Sequence, residues 1–163
     1  MDKEFLKWLS KYLGSDEKET NKLLDNELSR YFLIVWSIYE AKCFGGFVKV
    51  DKFNEFVKGI IGTIDANRIN DSAEYFHKRY QDKKKYQNLI HSKNGNPRFD
   101  EILKKAYTDL TVEEKIFLLT FVTYRYRNNI FHGNKGISSW LKYDKQIKKC
   151  IYVLQEFINA SSI

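Results

Sequence analysis

The chain has 163 residues, 43% of them apolar and 30% charged, and its 28 Lys and Arg against 21 Asp and Glu leave a net charge of +7. That length and apolar share exclude an intrinsically disordered chain and allow a core to form without disulfides or metals. The positive surplus favours polyanionic partners such as RNA or DNA.

A single proline, Pro97, and strong helix formers between the turn signals predict one all-α domain over residues 1–163, a bundle of about five to seven helices. Residues 1–13 read as a short amphipathic helix with Phe5, Leu6, Leu9 and Leu13 on one side, ended by Gly14. Leu23, Leu24, Leu28, Phe32, Val35, Trp36 and Tyr39 recur at helical spacing and predict one long helix over 18–44, broken by Gly45-Gly46. Residues 47–50 suit a brief extended stretch. Asp51 is then the expected cap of a helix bearing Phe53, Phe56, Val57, Ile60, Ile61 and Ile64.

Asn70-Asp71-Ser72 restarts a polar helix through residues 80–87, with the Lys83-Lys84-Lys85 run expected on a solvated face, an RNA-facing patch being the alternative, and His91 at a helix end. Residues 94–97 form a loop and 98–107 a short helix, after which Thr111-x-x-Glu114 has the form of a capping box. Residues 116–122 are apolar all round, so the helix they belong to is expected to be central and buried, and Gly133 is its stop signal. Ser138 or Ser139 opens a last helix to about residue 159, with Leu141, Ile147, Ile151, Leu154, Phe157 and Ile158 facing inward.

Cys43 and Cys150 lie far apart in apolar helical contexts, the pattern of buried, reduced thiols. The longest apolar run, 31–39, is too short to span a membrane, and the charged N-terminus does not resemble a signal peptide, so a cytoplasmic protein is expected. His77, His91 and His132 are isolated from metal-ligand spacings, and phosphate-loop and dinucleotide fingerprints are absent from the sequence; no metal and no cofactor is expected.

The segment T-Y-R-Y-R-N-N-I-F-H-G-N-K, 123–135, stands apart. On a helix Tyr124, Asn128 and His132 fall at i, i+4 and i+8, and Arg127 lies about 140° round from His132. A guanidinium beside an imidazole suits phosphodiester chemistry. The imidazole moves a proton near neutral pH, and the guanidinium donates a fork of hydrogen bonds to the phosphorane. Asn128 is suited to orienting either group. The same residues also suit a plain helix C-terminus, where His and Arg meet the negative end of the dipole.

Arg127-Asn128-Asn129-Ile130-Phe131-His132 resembles the R-x4-H motif of the HEPN superfamily, with the Asn after Arg and the following Gly133 also common there. An aromatic-rich early helix carrying Glu40 is a second likeness. The resemblance implies an α-helical bundle that homodimerises with two motifs at the interface. It also implies a metal-independent endoribonuclease of toxin–antitoxin, abortive-infection or antiviral systems, cleaving through the 2′-OH to a 2′,3′-cyclic phosphate. Carried over, Arg127 stabilises the transition state, His132 is general base or acid, Asn128 supports them and Glu40 stands behind the site. Tyr124, Arg125 and Lys135 are added from stacking and charge as RNA contacts. The chain departs from the R-x4-H-x-Y form of toxins regulated by tyrosine modification, having Asn134 in place of the tyrosine. The alternative is a non-catalytic HEPN module that binds a nucleotide, RNA or a protein partner such as an antitoxin or regulatory protein.

Overall fold

Short polar side chains start most of the helices in the computed structural model, which describes residues 2–91, 95–131 and 142–161. Asp2 opens α1 (Lys3–Leu13), Asp16 opens α2 (Glu17–Leu24) and Asn26 opens α3 (Glu27–Phe44), each accepting a backbone N–H of the first turn. A 3-10 turn (Val50–Lys52) leads into α4 (Phe53–Ile60). Asp65 caps α5 (Ala66–Tyr80), Asp82 caps α6 (Lys83–Ile90) and Asn96 caps α7 (Pro97–Lys104), whose first position holds Pro97. A second 3-10 turn (Tyr107–Asp109) precedes α8 (Val112–Phe131), and α9 (Asp144–Ala160) closes the described chain.

The expected capping box is present: the Thr111 hydroxyl accepts from Glu114 N (3.2 Å) and the Glu114 carboxylate accepts from Thr111 N (3.0 Å). The all-round burial expected of 116–122 also holds, from Ile116 at 0% exposure to Val122 at 0%. The helix is therefore surrounded, with α5 and α4 packed along it and α6, α7 and α9 completing the ring. α3 lies mainly against α9. Phe32, Phe53, Phe76, Phe99 and Phe157 fill the shared core, and Phe99 sits 4.4 Å from Phe121, ring centre to ring centre. No described helix is long and apolar enough to cross a membrane.

Several expected boundaries and one expected face change. The single helix over 18–44 is two, because the Asn26 side chain accepts from Ser29 N (3.0 Å) and restarts the chain there, while its amide also donates to Asp144 (3.2 Å). Asp51 lies inside the 3-10 turn and does not cap α4. α5 begins at Ala66, earlier than the Asn70 signal, and the polar helix divides at Asp82. Phe5 is not on the buried side of α1: Leu6 and Leu9 are, while Phe5 forms an exposed aromatic row with Trp8 and Tyr12. The solvated reading of Lys83-Lys84-Lys85 holds, and His91 ends α6 in the left-handed conformation at φ 49°. Gly95 lies close against the Tyr86 hydroxyl and the Asp100 carboxylate, which bond each other at 2.5 Å, so a Cβ there would displace the ends of those two side chains.

Burial alone would push the Glu114 carboxyl up, but the Lys105 ammonium at 2.5 Å and the Thr111 donors hold it below the ordinary carboxylate range. Its stabilising contribution is therefore complete above the unfolded carboxyl value, about 4.3, and is lost as pH falls through the lower folded value. In thermal melts Glu114→Gln should cost about 0.5–1 kcal/mol at pH 7, a gap that closes in acid; a pH-independent gap would contradict the assignment. Phe99→Ala should cost about 3–5 kcal/mol in urea denaturation, as an aromatic with no exposed surface.

Candidate functional site

α8 leaves the core through its last two turns, and there each residue meets a different neighbour because the helix turns by about 100° per residue. Tyr124 is half-buried and meets the Phe53 ring of α4 edge-on, centroids 5.4 Å apart. Tyr126 is buried, accepts from the Tyr80 hydroxyl of α5 (3.1 Å) and meets the Tyr143 ring at 6.1 Å. Burial pushes its phenol far up, so it is a fixed neutral group.

Arg125 and Asn129, one turn apart, both face the end of α6. Arg125 Nε donates to Leu89 O (3.1 Å) and Nη2 to Ile90 O (2.9 Å), while Asn129 Nδ2 donates to Leu89 O (2.8 Å). Nη2 of Arg125 also reaches Asn129 Oδ1 at 3.4 Å. These are the last carbonyls of a helix, which have no partner within it, and a cation there meets the negative end of the dipole. Desolvation lowers the Arg125 pKa, with Tyr124 opposing. Arg125, expected as an RNA contact, is thus tied to α6. Asn129, which is 1% exposed, is the residue the sequence reading missed; its signal was the i, i+4 spacing from Arg125.

Arg127 and Asn128 are brought together. Arg127 Nη1 donates to Asn128 Oδ1 at 3.2 Å, and its guanidinium carbon lies 5.8 Å from the centre of the Trp36 ring of α3. An aromatic face supports a guanidinium without occupying its in-plane donors, the geometry in which Arg reads a phosphate. Trp36 was expected as a core residue and is one, at 4% exposure, but it also positions Arg127. Glu40, one helical turn beyond Trp36, accepts from Val48 N at 3.5 Å and so braces the turn after α3. His132 and Lys135 lie outside the described residues, as do Gly133, Ser138, Ser139 and Leu141.

Among the described residues no group of three or more His, Cys, Asp and Glu is placed to hold a metal ion. Cys150 is fully buried and Cys43 half-buried, both as free thiols pushed up by burial. No protein-family model, no curated protein and no solved structure matches the chain.

Arg125→Ala takes the side-chain donor from Ile90 O and one of two from Leu89 O and should cost about 1–3 kcal/mol by urea denaturation, and Asn129→Ala, which removes the other donor to Leu89 O, about 0.5–1.5 kcal/mol. Asn128→Ala should cost less than either. Equal losses at all three positions would remove the distinction between the α6 clamp and the Arg127–Asn128 pair.

Proposed function

We propose that the protein is a metal-independent endoribonuclease of HEPN type, acting on RNA as a homodimer in a defence or toxin–antitoxin setting in the cytoplasm. The observation that supports this most is the Arg127–Asn128 pair, seated on Trp36 near the end of the buried helix α8, the two residues that open the R-N-x-x-x-H pattern of the sequence. The pair belongs to an all-α chain with a net charge of +7, which suits a polyanionic substrate.

In this reading the 2′-OH of RNA attacks the adjacent phosphorus while its proton passes to a general base, and the bond to the 5′-oxygen breaks as a general acid supplies a proton to it. The products are a 2′,3′-cyclic phosphate and a 5′-OH end. His132 fills one proton-transfer role and the same residue of a second copy the other, which is the chemical use of a dimer joined at its motifs. Arg127 bonds the phosphorane oxygens, where charge develops, and Asn128 holds the guanidinium in that direction.

Purified protein incubated with RNA in EDTA should produce fragments ending in cyclic phosphate. His132→Ala should abolish them, and Arg127→Ala should slow their formation by about 10²–10³-fold. Tight RNA binding without cleavage by the wild type would instead support the non-catalytic module, and identical fragments from wild type and His132→Ala would exclude the enzyme.

A further inference from the structure

Four cations around the junction of α5 and α9 have no carboxylate partner among the described residues: Arg79, Lys142, Lys145 and Lys148. Lys142, Lys145 and Lys148 are exposed, and Lys145, Lys148 and Lys149 line a groove of ≈ 390 Å³ with Asp71, Ser72 and Tyr152. Lys149 pairs with Asp71 at 2.5 Å. The Lys145 and Lys149 ammonium groups each lie 5.0 Å from the centre of the same Tyr75 ring.

This arrangement is costly to the free protein. Lys145 and Lys149 are a like-charge i, i+4 pair, which weakens a helix. Lys145 also sits in the first turn of α9, where the dipole already makes the potential positive. Arg79, one turn beyond Tyr75, donates Nη1 to the Gln146 carbonyl (3.1 Å) when the Gln146 amide is turned to donate to Tyr143 O (3.2 Å) and accept from the Tyr75 hydroxyl (2.7 Å). Its Nε is buried and has no partner among the described residues. The Lys83-Lys84-Lys85 run differs: it projects to solvent, and Lys85 pairs with Asp82 at 3.5 Å.

The groove also has a direction. Tyr143, next to Lys142, packs on Tyr126, the residue before Arg127, so the cations lead away from the end of α8. We propose that the α5–α9 groove binds the phosphate backbone of single-stranded RNA and delivers it to the end of α8. The choice of RNA rests on the ribonuclease reading; the choice of a polyanionic strand rests on the cations. Successive phosphates take the place of the missing carboxylates, and Tyr152 offers a ring at the far end for a base.

The test uses the full chain carrying His132→Ala, which keeps the RNA intact, and a fluorescent single-stranded RNA followed by anisotropy across a salt series. Adding Lys142→Gln, Lys145→Gln and Lys148→Gln should weaken binding at least about 10-fold and make the slope of log K against log salt shallower by about 2, three contacts at about 0.7 each. Lys83→Gln, Lys84→Gln and Lys85→Gln together should leave both unchanged. In parallel, acetylation of lysines in the His132→Ala chain with no lysine replaced should be suppressed by RNA at Lys145 and Lys148 and not at Lys84. Parental affinity and slope in the groove variant, equal losses in the two variants, or polyglutamate binding as tightly as RNA would each overturn the proposal. If RNA binding depends on the groove but the wild type leaves RNA uncut, the ribonuclease reading fails and the groove stands; if cutting survives with an unaltered KM in the groove variant, the groove fails and the ribonuclease reading stands.

Discussion

From Ile116 to Thr123 no side chain of α8 is more than 5% exposed, so every direction around these two turns must be filled by another helix. A helix in that position has no surface on which to discharge its polar groups. Thr120 and Thr123 therefore turn their hydroxyls back onto Ile116 O (2.8 Å) and Leu119 O (2.9 Å). The aromatic rings of α4, α5 and α7 pack against the apolar remainder. Phe53 meets Phe117, Phe76 meets Tyr126 and Phe99 meets Phe121. The bundle is assembled around this constraint, and the caps that start the outer helices set where each arrives.

The same constraint explains why the polar residues gather where they do. Once α8 passes Thr123 several of its side chains are only half-buried, and the neighbours that remain present helix ends and aromatic edges. Arg125 and Asn129 answer the carbonyls of α6, and Tyr126 answers Tyr80. Arg127 answers the face of Trp36, which attracts a cation but offers it no charge. Two arginines two residues apart are thus separated by about 200° of helix and by their chemistry. One sits against fixed dipoles; the other is placed over a ring with Asn128 beside it.

What the sequence made legible were the features in which a short pattern has one physical outcome. Thr111 and Glu114 can satisfy each other only at a helix start, and an unbroken apolar run within helical spacing can only be interior. The break at Asn26 was hidden because Leu23, Leu24 and Leu28 keep helical spacing across it, and the capping bond to Ser29 competes with that pattern without altering it. The job of Arg125 was hidden for a different reason. Its partners are main-chain carbonyls on α6, 36 and 35 residues away, and a carbonyl leaves no mark in a sequence. Trp36 was legible as core, but a ring that supports a cation has the same spacing as a ring that only packs.

Helix dipoles separate the cations of this chain into two kinds. Arg125 lies at the C-terminal end of α6, where positive charge is favourable, and its removal is a loss to the fold. Lys145 lies in the first turn of α9, where positive charge is unfavourable, with Lys148 and Lys149 one turn on, and Lys145 and Lys148 have no carboxylate partner among the described residues. Folding gains the Lys149–Asp71 ion pair and two ring contacts with Tyr75 from that second placement, but a neutral side chain at Lys145 would relieve both the repulsion from Lys149 and the conflict with the dipole. A bound anion reverses the sign of both effects: it screens the lysines from one another and meets the positive end of the helix. The cations that the fold uses and those that it merely tolerates are thus distinguished by position along a helix, and the second kind collects beside the end of α8.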